Sequence, residues 1–353
     1  MSHGLAWAKS EYHRRMRHIA VLLLLVAGGC AGSIANLNVH DGLVERACCP
    51  DLGDVPVELE YLGTGGWIVR RGNDAVMTAP FFTNPRLLRA LLLPIRPAKE
   101  LIQEQMRTVK GRENVRVVLA GHAHYDHLFD VEAALEDLPA DARVYGGTTV
   151  TALVPKRSVD ITAKAGTQKA RGEWTQVGNV RFLPIFSEHA AHVFGIKAMN
   201  GHYDTARPRP AYGRQWKEGE TLAYVIELLN DENDVDLRIY YDDSAHDAPY
   251  GYPDEGFVGK IDIAILCVAS HQQVNDYPAK LLTYLQPKHV LLGHWEDFFL
   301  PYERPERTVR LTDVRKFIEK LPAGTQWTML KRRGVVRFAP PPAVSRLPSA
   351  RAH

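Results

Sequence analysis

The sequence predicts a mixed α/β protein, and three stretches carry that expectation. Val57-Glu58-Leu59-Glu60-Tyr61-Leu62 alternates like a half-buried strand, and Gly63-Thr64-Gly65-Gly66 turns it back into Trp67-Ile68-Val69-Arg70. Val115 to Ala120 reads as a buried strand that passes through a histidine-rich loop into a short helical pattern, Val131 to Leu138. Ile261 to Val268 is a near-continuous apolar run, as expected of a central strand covered on both faces. The 353 residues fit one large or two ordinary domains, and 45% hydrophobic with 24% charged residues is a soluble globular composition. A formal net charge of +2 gives no footing for nucleic acid or an acidic partner, and four cysteines are too few for a disulfide scaffold. No repeat at a fixed period is visible.

In chain order, residues 1–30 read as a bacterial export signal. Arg14, Arg15, Arg17 and His18 form a basic region, and Ile19 to Ala27 an apolar run too short to span a bilayer comfortably. Met16-Arg17-His18 with the same run is a complete signal by itself. Gly28-Gly29-Cys30 resembles a lipobox, which makes Cys30 the lipidation site and places the chain in the cell envelope, lipid-anchored or periplasmic. Plain signal cleavage and an uncleaved anchor helix are the alternatives. Residues 31–56 lack periodicity and read as a tether or arm that contains the vicinal pair Cys48-Cys49; vicinal cysteines seldom pair with each other. The folded domain is expected over residues 57–338, with a Pro-rich disordered tail at 339–353.

Within that domain Ala75-Val76-Met77-Thr78 is the third opening strand. Residues 85 to 110 give two helical pieces broken at Pro94 and Pro97, read as core-packing helices, with a cap over the site mouth as the alternative. Arg143-Val144-Tyr145 is a short strand and Thr148 to Val154 a short helix. Glu173 to Gln176 and Val180 to Phe186 pair around Gly178-Asn179, and Thr221 to Leu229 pairs with Asp236 to Tyr241. Residues 197 to 220 form a long loop with His202, Tyr203, Tyr212 and Trp216, suited to line a pocket or to pack on itself. Cys267 reads as a buried thiol, and His271 as a residue that can face the cleft. Tyr277 to Leu285 is helical, His289 to Leu292 a strand, and residues 305 to 320 a helix. Trp327 to Phe338 reads as a terminal hairpin about Arg333-Gly334.

The chemistry concentrates in Gly121-His122-Ala123-His124-Tyr125-Asp126-His127-Leu128. Four metal-capable side chains fall within six residues, where a strand ends and a helix begins. His122 and His124 are two apart, so on extended backbone they point the same way and can hold one ion. Asp126 and His127 follow as the chain turns into the helix and can aim at a second ion close by. Imidazole with carboxylate suits zinc, and also iron or manganese.

His-x-His-x-Asp-His after a buried strand resembles the signature of the metallo-β-lactamase superfamily of metal-dependent hydrolases. The resemblance covers roughly residues 57 to 325 and implies an αβ/βα four-layer sandwich, two sheets between outer helices. It implies a third histidine for the first metal at the end of Val180 to Phe186, where Ser187-Glu188-His189 makes His189 the better match and His192 the runner-up. It implies a bridging aspartate at Asp243, in Asp242-Asp243-Ser244, and a last ligand at His294. The implied set is therefore His122, His124 and His189 on one divalent ion, Asp126, His127 and His294 on the other, with Asp243 between them. Zinc is expected first and manganese or iron as alternatives. A bridging hydroxide is then the nucleophile, and the catalytic residue Asp126 handles the proton passed to the leaving group.

A bridging aspartate argues against a true β-lactamase. The sequence is similar to the branch with ascorbate-phosphate lactonase-like proteins and N-acyl-phosphatidylethanolamine phospholipase D. That branch implies a phosphodiester or lactone-type ester, small-molecule or lipid, with no nucleic acid and with membrane attachment through the lipid anchor. The rival expectation is a non-catalytic envelope lipoprotein stabilised by its metals.

Overall fold

The computed structural model describes residues 32–48, 55–192 and 195–339. The signal expected over residues 1–30, with Cys30, and the tail from residue 340 lie outside the described residues, as does Cys49. Two eight-stranded sheets form the body among the described residues. The first has the order β2-β16-β3-β4-β5-β6-β7-β8 and the second β1-β15-β14-β13-β12-β11-β10-β9. Their strands are β1 Val39–His40, β2 Leu43–Ala47, β3 Val57–Gly63, β4 Gly66–Arg71, β5 Asp74–Thr78, β6 Val115–Leu119, β7 Arg143–Gly146 and β8 Ser158–Asp160. There follow β9 Thr175–Val177, β10 Val180–Phe186, β11 Leu222–Leu229, β12 Val235–Tyr241, β13 Ile263–Cys267, β14 His289–Gly293, β15 Trp327–Leu330 and β16 Val335–Ala339. The helices are α1 Leu87–Leu92, α2 Lys99–Thr108, α3 Tyr125–Leu128, α4 Val131–Ala134, α5 Thr148–Leu153, α6 Ala279–Leu285 and α7 Val314–Glu319.

Alternation along the strands divides the core. Val57, Leu59, Trp67, Val69, Val117 and Leu119 of the first sheet pack with Phe182, Tyr224, Ile239 and Leu291 of the second. Their sequence neighbours Ile68 and Val118 face the other way together with Met77 and Val115, against Ile102, Met106, Leu128 and Leu135 of the helical layer. Strands buried on both faces need apolar residues at every position, which is why Ile263–Cys267 shows no alternation.

The segment read as a tether supplies an edge strand to each sheet: β1 runs parallel to β15, and β2 runs parallel to β16. The two strands are too short for a periodic signal and take their hydrogen bonds from the far end of the chain. Cys48 is disulfide-bonded. The terminal hairpin is corrected. β15 joins the second sheet and β16 the first, so Trp327 to Phe338 crosses between layers. Arg333, at φ 70°, donates to Glu60 of β3, which pins the crossover to the first sheet. The helix expected over 305 to 320 is only α7. Residues before it run alongside 295–297, with Thr308 bridged to Glu296 and Val309 N–H donating to Trp295 O at 2.7 Å. Leu311 then takes φ 59°, and Asp313 caps α7 by accepting from the Arg315 and Lys316 amides.

Candidate metal centre

Four strand ends meet at one edge of the sandwich, after β6, β10, β12 and β14. The chain leaves β6 extended through His124, whose φ of −60° and ψ of 153° start α3. Hydrogen bonds stitch the converging loops: Leu222 N–H to Gly121 O at 2.7 Å, Ala123 N–H to Glu218 O at 2.9 Å, and Ala190 N–H to Ala245 O at 3.0 Å. Close approach demands glycine twice. A Cβ at Gly121 would lie 2.3 Å from Asp243 Oδ1, and one at Gly65 would lie 2.7 Å from His127 Nδ1.

His122, His124, His127, His189, Asp126, Asp243 and His294 are all buried here. Their ligand atoms gather in three overlapping groups: His122, His124 and His189; His122, His127 and Asp243; Asp126, His127 and His294. Asp243 lies between the first and third of these groups, with Oδ1 2.9 Å from His122 Nδ1 and Oδ2 3.2 Å from His127 Nδ1. Asp126 Oδ2 is 3.4 Å from His294 Nε2 and 3.6 Å from His127 Nε2.

The donor set fits metal ions by its unmet needs. His122 Nε2, His124 Nε2, both ring nitrogens of His127, Asp243 Oδ2 and His294 Nδ1 are buried without a hydrogen-bond partner. So many orphaned atoms facing one another is costly unless a cation satisfies them. The charge states also suit metal binding. Burial, then the neighbouring histidines, push the His124 and His189 rings down toward the neutral form. Burial opposes ionisation of Asp243, yet His122 and His127 beside it hold its carboxyl well below the usual range. His189 donates Nδ1–H to Ala190 O at 2.6 Å, which leaves Nε2 as its ligand atom.

His192 sits apart from these groups. Its ring stacks on His189 at 4.8 Å, and its Nδ1 accepts the Ala198 amide at 3.2 Å. That bond places the proton on Nε2, a donor on a ring that lines the cleft.

Other residues behind the site are illegible from the motif. Asp130 is fully buried and accepts from the Phe82 and Thr83 amides at 2.7 Å each and from the Thr83 hydroxyl, which fixes the loop after β5. Glu296 accepts from the Thr64 amide at 2.6 Å and from the Tyr61 hydroxyl, and Tyr61 in turn accepts from the His294 amide at 3.0 Å. His294 needs that support, because its φ is 51°, unfavourable for a residue with a Cβ. Asp130 comes soon after His127 and Glu296 soon after His294, yet each is a lone carboxylate with no pattern to betray it. Asp242, beside Asp243, turns away to accept from Cys267 N–H at 2.8 Å and the Tyr277 hydroxyl at 3.0 Å. His271, expected to face the cleft, is buried instead with Nε2 donating to Asp313 O at 3.0 Å. In the 197 to 220 loop the anticipated aromatics do not line the cavity. Trp216 packs on Phe129, while Lys197, Met199, Arg214 and Lys217 face the cleft.

The cleft over these ligands encloses about 880 Å³. Leu87, Leu91, Phe298 and Phe299 form much of its apolar wall. Neither a protein-family model nor a curated protein matches the sequence. Solved structures do. Igni18, a metallo hydrolase from the hyperthermophilic archaeon Ignicoccus hospitalis, superposes with a TM-score of 0.50 at 16% identity, over 80% of this chain and 98% of its own. The fold is that of the metallo-β-lactamase type. The metallo-β-lactamase fold protein YhfI from Bacillus subtilis matches at 12% identity and a TM-score of 0.47, over 80% of this chain and 99% of that one. An isothiocyanate hydrolase from Delia radicum gut bacteria matches at 14% identity and 0.45, over 79% and 98%. On this metallo-β-lactamase fold the histidine-aspartate cluster stands at the mouth of the sandwich, where loops from both sheets meet.

Proposed function

We propose that the chain is a metal-dependent hydrolase that holds two divalent ions, zinc first, and cleaves a phosphodiester or lactone-type ester. The observation that carries this reading is the set of orphaned, buried imidazole and carboxylate atoms at the base of a large cleft. His122, His124 and His189 would hold one ion, Asp126, His127 and His294 the other, and Asp243 would reach both. Ions bound there would supply Lewis acidity to the ester oxygen and acidify water toward neutral pH.

The chain's own residues do the rest. Asp126 lines the cleft with its carboxylate among His127 and His294, placed to take a proton and pass it to a leaving group. His192 offers Nε2–H to a substrate oxygen. Lys217 also lines the cleft and has no carboxylate partner among the described residues, so it can meet substrate anionic charge. The apolar walls exclude water around the reacting group.

The test combines elemental analysis with hydrolysis of a bis-aryl phosphodiester and a simple lactone. Protein purified without chelator should carry about two divalent ions per chain, and His124→Ala and Asp243→Ala should each lose metal and activity by orders of magnitude. Glu136→Ala, at an exposed ion pair with Lys99, should change neither. Absence of metal in the wild type would sink the reading. Metal without hydrolysis of either ester class would favour the non-catalytic alternative.

A further inference from the structure

One side of the cleft is built unlike the rest of the surface. Leu88, Leu92 and Leu93 are 58%, 53% and 55% exposed. Leu88 and Leu92 are four apart on α1 and share its outer face, with Leu93 directly after the helix end. The buried face of the same helix carries Leu87, which with Leu91 and Leu92 lines the cavity. Ile196 and Leu311, also exposed, line the cleft with Leu92, and Leu88 and Leu93 adjoin it, so five of the eleven exposed large hydrophobics among the described residues lie at or beside one mouth. Isolated exposed leucines need no explanation, but such a grouping does.

The segment that carries the leucines is basic up to Lys99, which pairs with Glu136. Residues 83–99 contain Arg86, Arg89, Arg96 and Lys99 and no Asp or Glu. Arg86, Arg89 and Arg96 are exposed and have no ion-pair partner among the described residues. Arg214 comes up against the same helix, with its guanidinium donating to Leu91 O at 3.1 Å. Half-exposed leucines interleaved with unpaired arginines match the two terms of interfacial binding. Apolar side chains bury in the acyl boundary, and the cations attract anionic headgroups.

We propose that this rim is a docking face for an anionic phospholipid surface, so that the cleft opens onto the membrane. Leu88, Leu92 and Leu93 enter the interface, and Arg86, Arg89 and Arg96 lie at headgroup level. The walls of the cleft continue that apolar surface inward through Leu87 and Leu91 toward the metal ligands. The proposed hydrolase then draws an ester with an apolar moiety from the bilayer instead of from bulk water. This use of the cleft rests on the hydrolase reading; the docking itself does not.

The experiment is flotation of the full chain with vesicles of phosphatidylglycerol and phosphatidylethanolamine, and separately of phosphatidylcholine. All variants share the apolar run Ile19 to Ala27, so differences report the rim. Leu88→Ser/Leu92→Ser/Leu93→Ser should cut partitioning onto the anionic vesicles about a hundredfold. Leu93→Asp alone, outside the helix, should cut it about tenfold and guards against misfolding of the triple variant. Leu43→Ser, an exposed leucine on β2, should have no effect. Arg86→Ala/Arg89→Ala/Arg96→Ala should weaken anionic binding, reduce its salt dependence and leave phosphatidylcholine binding unchanged. Rim variants that float like the wild type overturn the proposal. It is equally overturned if wild type ignores vesicles and the leucine variant turns a dimer into a monomer, which assigns the face to a second copy. Loss of vesicle binding with turnover of a small soluble ester retained confirms the face without bearing on the metal chemistry. Failure to hydrolyse any ester with vesicle binding intact sinks only the hydrolase reading.

Discussion

At the residue scale the proposed function gives different roles to two nearby histidines after β10, metal ligand for His189 and substrate contact for His192. His189 joins His122 and His124 in one group of ligand atoms, and its Nδ1–H bond to Ala190 O presents Nε2. His192 lies one ring further out, with Nδ1 already occupied by the Ala198 amide. His189→Ala is therefore expected to lose metal by elemental analysis. His192→Ala should keep its metal and lose about tenfold in kcat/KM, the size of one hydrogen bond to developing charge. The opposite pattern, metal lost in His192→Ala and kept in His189→Ala, would exchange their roles.

The same residues show what could be read beforehand. The His-x-His-x-Asp-His stretch is contiguous, so local chain geometry alone brings its four side chains to one place. Asp243 and His294 stood out only through the resemblance, which implies a bridging aspartate and a last histidine after strands at these positions. Asp130, Tyr61 and Glu296 gave no such signal. Each acts across long sequence separations, Tyr61 and Glu296 being 235 residues apart, and a single buried acid looks like any other acid in a sequence.

At the element scale, strands with strong patterns were legible and short edges were not. β10, β11 and β13 carry long apolar runs that leave no alternative to a buried strand. β1 and β2 have two and five residues and owe their pairing to β15 and β16, more than 280 residues later. Arg333-Gly334 looks like a hairpin turn because turn chemistry is local. Which sheet receives each flanking strand depends on partners that local patterning does not encode.

That edge of the second sheet also carries a built-in acid sensitivity. His289 opens β14, is 4% exposed, and shares a 2.9 Å hydrogen bond with Thr328 of β15. Thr328 Oγ1 also accepts from Arg46 Nε of β2 at 3.2 Å, which brings the Arg46 cation close to the His289 ring. Protonating His289 would bury a second cation beside Arg46. Burial first, and Arg46 second, lower its pKa to about 4. Between about pH 4 and the ordinary value near 6.5 the unfolded chain binds more protons at this position than the folded one. Stability is therefore full above about 6.5 and falls as the pH drops toward 4, by on the order of 2–3 kcal/mol from this group. Denaturant unfolding at neutral and at acid pH should show a larger loss in the wild type than in His289→Gln, whose amide does not titrate. Parallel losses in the two proteins would remove His289 from the account.

At the scale of the whole molecule the proposed metal ligands are also the place where the two sheets are joined. His122 to His127 follow β6 of the first sheet, and His189, Asp243 and His294 follow β10, β12 and β14 of the second. Without a cation, the edge between the layers gathers buried nitrogens and carboxylate oxygens that satisfy nothing. A ligand that binds the folded chain alone stabilises it by mass action, about 4 kcal/mol at a thousand times its Kd. For a chain of this size that amounts to a rise on the order of 10 °C in the unfolding midpoint. Removing metal with a chelator and restoring zinc should therefore lower and then recover the midpoint. Asp243→Ala, which removes the carboxylate set between His122 and His127, should show a much smaller shift. The Cβ that Gly121→Ala adds would lie 2.3 Å from Asp243 Oδ1, so this variant should lose the shift as well, although glycine itself donates no ligand atom. Calorimetry gives the comparison directly. A wild-type midpoint that ignores both chelator and zinc would mean that these seven residues do not hold metal, whatever their arrangement.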